Sequence, residues 1–294
     1  MSMKSMAARR PQRSGEAPVN VVVAGASGFI GRRLCEALTG AGHHVAAMTR
    51  DPDRYQGAGD PVYGDVHDRG SLDAALAGRE AAYYLVHSLS APDFERKDAA
   101  AAVAFGHAAA RAGLRRIIYL GGLGDDDTDA LSAHLRSRRL VEKQLASAGV
   151  PVTVIRAGII VGDGGIPWEL TRQLAEHLPA MITPRWVTTR TQPIAVDDIV
   201  RYQVGVLALP EAAGRVFGAG GPEVLQYVTM LRRVAAIQGR LLPILPVPLL
   251  TPRLSSLWLT LVTDVDTATG RALVDSMTNE VVVRDHSIRT RRPG

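Results

Sequence analysis

The sequence predicts an α/β fold, in which a doubly wound parallel sheet is followed by a small C-terminal lobe. The first observation is that short apolar, β-branched runs alternate with helical patterns at the spacing of βαβ units. The second is a glycine-rich turn that joins the first apolar run directly to a helical pattern. With 294 residues, 46% of them hydrophobic, the chain can bury a core without disulfides or a metal ion.

The elements follow from the apolar runs in chain order. Strands are predicted at Val19–Ala24, His44–Thr49, Val62–Gly64, Ala82–Val86, Arg116–Leu120 and Val152–Arg156. Helical patterns follow the glycine turn as far as Gly40, begin again at Ser71, and span about Phe94–Arg111 and Ser132–Ala148. After residue 160 the alternation loosens, and proline, tryptophan and threonine become more frequent.

The glycine-rich turn carries the strongest functional signal. It has the pattern GxxGxxG, lies between a predicted strand and a predicted helix, and reads Gly25, Ala26, Ser27, Gly28, Phe29, Ile30, Gly31. The first glycine allows the tight turn, the second lets the backbone approach a pyrophosphate, and the third lets the helix pack closely on the sheet. The helix N-terminus then offers free N–H groups to phosphates. We therefore predict a Rossmann-type dinucleotide site formed by Gly25, Ser27, Gly28, Phe29, Ile30 and Gly31.

The end of the second predicted strand indicates which dinucleotide binds. NAD sites place a carboxylate there for the ribose hydroxyls, whereas NADP sites favour a cation for the 2′-phosphate. Here the strand ends Met48-Thr49-Arg50, with no acid at its tip. The guanidinium of Arg50 suits a phosphate, so we predict NADP as the cofactor, with NAD possible. Asp65 and Val66, after the third strand, are predicted to border the adenine.

These patterns divide the chain into three predicted parts. Residues 1–18 form a disordered basic tail, 19–215 a Rossmann NAD(P)-binding domain, and 216–294 a C-terminal substrate or oligomerisation lobe with a basic tail. Elements of the substrate pocket begin at about residue 160. Residues 241–262 are unusually apolar, but four prolines and Arg253 interrupt them, so a transmembrane span is not predicted. A buried or dimer-forming segment, membrane-surface contact and a greasy substrate channel all stay open.

Charge and cysteine content exclude several classes of protein. The net charge is +5, and the two termini, 1–18 and 284–294, each contribute about +3, so the body between them is nearly neutral. With only 5% aromatic residues as well, no specific nucleic-acid binding is predicted. The single cysteine, Cys35, excludes an intrachain disulfide and a cysteine-based zinc site. No metal site is predicted, and the lack of a secretory signal favours the cytoplasm.

Several motifs together resemble a known family. The motifs GASGFIG, GDV and PIAVDDI, with Arg50, resemble the atypical short-chain dehydrogenase/reductase superfamily on its NmrA-like side. The runs YYLVHSL, RIIYLGGLG, HLRSRRLVEKQL and VIRAGIIVG resemble a bacterial NAD(P)H-binding oxidoreductase group, also described as nucleoside-diphosphate-sugar epimerase-like. The resemblance covers about residues 19–290. It implies a Rossmann fold and NAD(P)-dependent chemistry.

The chain departs from the usual catalytic pattern of short-chain dehydrogenases. Those enzymes generally use Tyr-x-x-x-Lys, in which the tyrosine donates a proton and the lysine holds the ribose. This chain has three lysines, Lys4, Lys97 and Lys143. The residue four positions before Lys97 is Asp93, and the one before Lys143 is Arg139. The usual dyad is therefore absent.

Other polar residues stand where the dyad is missing. His134 and Arg138 are four residues apart on a predicted helix and so share one face. His134 is a candidate acid near neutral pH, and Arg138 a candidate ligand of the ribose hydroxyls. His87, at the end of the fourth strand, is expected to face the cofactor. For each residue the alternative is an ordinary solvated or loop position. Gly121–Gly122, small residues at a strand end, leave room for a ring.

Three functions remain open at this point. The first is an NADP-dependent reductase of a quinone, enone or other carbonyl, with an apolar or ring-containing small molecule as substrate. The second is a non-catalytic NADP(H) sensor, regulatory or assembly protein, which the missing dyad favours. The third, a sugar-nucleotide epimerase, ranks last because it normally needs the tyrosine base. An oligomer is possible in each case.

Overall fold

A seven-stranded parallel sheet forms the centre of the molecule. The computed structural model describes residues 17–91, 93–124, 131–246, 267–285 and 287–290. The sheet strands are β1 (Asn20–Ala24), β2 (His44–Thr49), β3 (Asp60–Tyr63), β4 (Ala81–Tyr84), β5 (Arg116–Gly122), β6 (Val152–Ala157) and β11 (Val216–Ala219). Their spatial order is β11-β6-β5-β4-β1-β2-β3, and every neighbouring pair is parallel. This arrangement confirms the predicted doubly wound Rossmann-type fold.

Helices cover both faces of the sheet because the strand side chains alternate. The covering helices are α1 (Phe29–Gly40), α2 (Arg69–Leu76), α3 (Phe94–Arg111), α4 (Ala133–Ala146) and α6 (Val196–Leu207). Val21 and Val23 of β1 pack with α1 and α6, whereas Val22 and Ala24 pack against α2, α3 and α4 on the opposite face. Because α1 carries an apolar stripe, that face of the helix is buried, and its buried side chains include Leu34, Cys35 and Leu38.

A smaller lobe packs beside the carboxyl end of the sheet. Its helices are α5 (Ile166–His177), α7 (Tyr227–Ile237) and α8 (Thr267–Ser276), whereas the short α9 (Ser287–Thr290) packs on β11 of the central sheet. Short strands form three two-stranded ribbons: β7 (Ile160–Val161) with β10 (Ile194–Ala195), β9 (Arg190–Thr191) with β12 (Leu225–Gln226), and β8 (Met181–Thr183) with β13 (Ile244–Pro246). Buried residues of α5, α7 and α8 form a separate apolar cluster. This lobe therefore has a core of its own.

The predicted boundary after residue 215 lies directly before a strand of the central sheet. Strand β11 starts at Val216 and pairs with β6 as the outermost strand of the central sheet. The reason is that α6 acts as a crossover helix, and a crossover in a parallel sheet returns the chain to the same sheet. The sheet therefore takes its last strand from the range assigned to the lobe. The division into two domains otherwise stays a prediction.

Part of the sequence analysis lies outside the described residues. This holds for the basic tail as far as residue 16 and for residues 247–262 of the apolar segment. None of the helices within the described ranges is both long and apolar enough to cross a membrane. Among the same residues, no group of three His, Cys, Asp or Glu side chains lies together as a metal site would require.

Candidate functional site

The glycine turn is shaped by close backbone approaches that exclude side chains. Gly25 has a φ of +87°, and a Cβ atom there would lie 3.3 Å from the backbone of Leu85. A Cβ on Gly31 would collide with the carbonyl oxygen of Gly25. Gly28 is the N-cap residue of α1, and no side chain caps that end of the helix. The first-turn N–H groups therefore remain available to an anionic ligand, and the cradle fits a dinucleotide pyrophosphate.

The glycine turn opens onto a cavity of about 450 Å³. This cavity lies at the carboxyl ends of β1, β4, β5 and β6, which is where open α/β sheets bind ligands. The lobe forms its other wall. The lining residues are Gly25, Gly28, Phe29, Ile30, Gly31, Leu85, His87, Leu89, Leu120, Gly121, Gly122, His134, Arg138, Ala157, Gly158, Ile160, Gly164, Ile166, Pro167, Thr269 and Leu273. Most of these residues are apolar or glycine, so the cavity suits a largely apolar molecule.

Three of the predicted polar residues meet in this cavity. His87 follows β4, whereas His134 and Arg138 lie one turn apart on α4. Removal from bulk water and the positive charge of Arg138 lower the pKa of His87 to about 3, although its side chain faces the open cavity. The same two causes, with a contribution from His87, lower the pKa of His134 to about 3.

These lowered pKa values bear on the expected acid role of His134. An imidazole whose pKa is about 3 is neutral at neutral pH, so a charged histidine is not the form present there. The pKa of His134 is lowered because the surrounding protein keeps water from the imidazole and because the Arg138 cation lies nearby. Neutral His134 can still donate or accept a hydrogen bond. Arg138 therefore supplies the positive charge at this point of the site.

Two residues that were not predicted hold this constellation in place. Asp98 on α3 is 6% exposed, and its carboxylate accepts a 2.8 Å hydrogen bond from the Ser88 N–H, which fixes the loop after β4. Burial raises the pKa of Asp98, and the hydrogen bond with Ser88 and the charge of Arg138 partly oppose this. Arg139 donates to the carbonyl oxygens of Gly122 and Gly124 at 2.8 and 3.1 Å, which ties α4 to the end of β5.

Four of the predicted cofactor-binding residues lie outside this cavity. Ser27 is exposed on the glycine turn, and Arg50 is exposed directly after β2. The carboxylate of Asp65 accepts a 2.9 Å hydrogen bond from the His67 N–H. Val66 is 5% exposed and belongs to the apolar core, so its side chain serves packing. The roles of these residues toward a cofactor stay predictions.

Residues from the lobe complete the wall of the cavity, and the sequence analysis did not identify them as site residues. Ile166 and Pro167 come from the start of α5, and Thr269 and Leu273 come from α8. They are distant in the chain from the glycine turn, and no motif marks them. The signal in the sequence was that proline, tryptophan and threonine become more frequent after residue 160, which does not indicate which residues face a ligand.

Fold and site together define a class of protein, an NAD(P)H-binding protein with a Rossmann-type fold. The sequence profile of a family described as NAD(P)H-binding matches residues 25–187, more than half of the chain. The chain belongs to this NAD(P)H-binding family. Its structural neighbours lie in the NmrA-like, atypical short-chain dehydrogenase and nucleoside-diphosphate-sugar epimerase group, which confirms the resemblance seen in the motifs.

Relatives identified by sequence include proteins named as reductases. The chain is 28% identical over 231 residues to (4-alkanoyl-5-oxo-2,5-dihydrofuran-3-yl)methyl phosphate reductase from Streptomyces griseus, covering 75% of this chain and 74% of that protein. It is 26% identical over 230 residues to an uncharacterized Mycobacterium tuberculosis protein. That match covers 78% of this chain but spans only 24% of the mycobacterial protein.

Solved structures with the same fold include two reductase complexes. A Citrobacter triphenylmethane reductase complexed with NADP(H) superposes with a TM-score of 0.75 at 15% identity, covering 92% of this chain and 94% of that one. An Escherichia coli NADPH-dependent quinone oxidoreductase complexed with NADPH superposes with a TM-score of 0.71 at 20% identity, covering 88% of each chain. At these identities the similarity establishes the fold.

Proposed function

We propose that this protein is an NADP(H)-dependent reductase of a quinone, an enone or another carbonyl compound with an apolar or ring-containing body. One observation carries the proposal. The glycine cradle for a dinucleotide and a mostly apolar wall open onto the same cavity, with Arg138 and two neutral histidines between them. A cofactor and an apolar substrate could therefore meet in one enclosed space.

In this proposal each part of the chain has a separate task. A bound nicotinamide cofactor supplies the hydride. The turn glycines and the α1 N-terminus hold the pyrophosphate, and Arg50 pairs with the 2′-phosphate. Arg138 holds the ribose hydroxyls, and its charge favours the negative charge that develops on a carbonyl oxygen during reduction. Neutral His134 donates a hydrogen bond to that oxygen, and His87 lies beside it as a second neutral donor.

The absence of the Tyr-x-x-x-Lys dyad limits the proposed chemistry. Proton transfer from a protonated histidine is disfavoured because both pKa values are about 3. We therefore propose that the proton reaches the reduced oxygen from water and that the protein contributes position and charge. The Streptomyces griseus relative, which by its name reduces a dihydrofuran phosphate, supports a reductase over an epimerase.

The second candidate is an NADP(H)-binding sensor, regulatory or assembly protein. The observation that favours it is the same missing dyad, because a sensor needs the cofactor site but no proton donor. A sugar-nucleotide epimerase stays the least favoured candidate, although structural neighbours include a Staphylococcus aureus protein described as one. Copurifying NAD would favour the epimerase.

The decisive experiment measures NADPH binding first and NADPH oxidation second. Purified protein is titrated with NADPH by calorimetry, and then assayed with a panel of quinones, enones and aldehydes. Turnover with any of these classes supports the reductase and names its substrate chemistry. Binding without turnover across the panel contradicts the reductase and supports the sensor. A cytoplasmic location and an oligomeric state remain predictions that this experiment does not address.

A further inference from the structure

A second, smaller cavity adjoins the main one behind His134. Its volume is about 90 Å³. The two cavities share the lining residues Gly122, His134, Ala157, Gly158, Pro167 and Leu273. Since six residues form walls of both, the smaller cavity, which we call the side chamber, is an extension of the main cavity. His134 and Leu273 stand at the junction.

The remaining walls of the side chamber are almost entirely apolar and buried. They are formed by Leu123, Leu135, Ile159, Tyr227, Ser276, Met277 and Val281. Apart from Ser276, each of these side chains is between 3% and 8% exposed. The Ser276 hydroxyl donates a 2.6 Å hydrogen bond to the carbonyl oxygen of Leu273, so it already has a partner. Most of the surface that lines the chamber is apolar, so an aliphatic group is stabilised by leaving water for it.

We propose that the side chamber is a specificity pocket for an aliphatic substituent of the substrate, about three carbon atoms long. The inference rests on the proposed function, because it takes the main cavity as the place where the reacting group is held. The length follows from the volume, since a cavity of about 150 Å³ holds a benzene ring, so that a chamber of about 90 Å³ holds about three to four carbon atoms. Neutral His134 at the junction lets an apolar chain pass beside it without separating a charge from water.

The test uses ligands that need no turnover. Protein saturated with NADP⁺ is titrated by calorimetry with 4-alkylphenols whose linear chain lengthens from methyl to nonyl. We expect the dissociation constant to fall about fourfold for each methylene as far as propyl and then to level off. A constant gain along the whole series, or no gain at all, overturns the proposal.

Substitutions of Met277 separate the side chamber from general hydrophobicity. Met277→Ala enlarges the chamber, so the levelling-off moves to chains about three carbons longer. Met277→Trp fills the chamber and abolishes the gain beyond methyl. Met230→Ala is the matched control, because Met230 is equally buried in the lobe but lines neither cavity. An unchanged chain-length profile in Met277→Ala, with the protein folded, overturns the proposal even if Met277→Trp fails to fold.

The outcome is distinguishable from a failure of the proposed function. The same series is run with 2-alkyl-1,4-benzoquinones as NADPH oxidants. A chain-length limit in phenol binding without quinone turnover supports the side chamber and counts against the reductase. Quinone turnover whose kcat/KM shows no limit near propyl supports the reductase and counts against the side chamber.

Discussion

Arg50 is the single side chain on which the proposed cofactor preference depends. It is exposed after β2 and makes no hydrogen bond or ion pair with the described residues. A charge-assisted contact with the 2′-phosphate is worth about 1.5–3 kcal/mol, so we expect Arg50→Ala to weaken NADPH binding roughly 10- to 100-fold. NADH binding, measured in the same calorimetric titration, should barely change. Arg54→Ala, on the same loop beside Asp51, is the control. Equal losses of affinity for both cofactors would contradict the proposed contact between Arg50 and the 2′-phosphate.

The two histidines provide a prediction on charge. Because the positive charge of Arg138 is one cause of their lowered pKa values, Arg138→Met should raise the pKa of both His87 and His134 above about 3. The desolvation of both imidazoles by the surrounding protein remains, so neither pKa should reach the ordinary value of about 6.5. Histidine chemical shifts followed by NMR across pH measure this. Arg136→Met is the control, since Arg136 bonds to the carbonyl oxygen of Leu131 and is not a cause of either shift.

The same pKa values make stability depend on pH. The unfolded chain takes up protons at its histidines below pH about 6.5, whereas folded His87 and His134 do so only near pH 3. The unfolded state therefore binds more protons in this window, and the free energy of unfolding should fall as the pH drops from about 6.5 toward 3. The His87→Gln/His134→Gln double variant should lose less stability over this range in urea titrations. An identical slope in both proteins contradicts the assignment.

At the scale of elements, the contact between α1 and the glycine turn decides whether the cradle exists. Gly31→Ala places a methyl group against the Gly25 carbonyl oxygen, so we expect a loss of about 1–3 kcal/mol in unfolding free energy and at least tenfold weaker NADPH binding. Gly40→Ala at the other end of the same helix meets nothing within 4 Å and should be neutral or slightly stabilising. Urea unfolding and calorimetry measure both variants. Equal effects of the two changes would mean that the close approach is unimportant.

At the scale of the whole molecule, cofactor binding should appear as stability. NADPH at 100 times its dissociation constant stabilises a folded protein that binds it by about 2.7 kcal/mol, whatever the details of the site. We therefore expect the thermal midpoint to rise steadily with NADPH concentration, and to rise less with NADH at the same concentration. The Gly31→Ala variant, whose cradle is blocked, should show little shift at the same NADPH concentration. A thermal midpoint that does not change with NADPH concentration would contradict dinucleotide binding by this chain.

The sequence by itself determined the order along the chain of the first six sheet strands and the position of the glycine turn between β1 and α1. Both depend on local patterns. The apolar run His44–Thr49 forms a strand where the pattern predicts one, and the glycines of the GxxGxxG turn lie where neighbouring backbone atoms leave no room for a side chain. Only the tertiary structure decided that β11 is the outermost strand of the sheet and that Thr269 and Leu273 line the cavity. It also decided that His134 is neutral. The physical reason is that distant packing and desolvation depend on which segments meet in space, and neither leaves a periodic pattern along the chain.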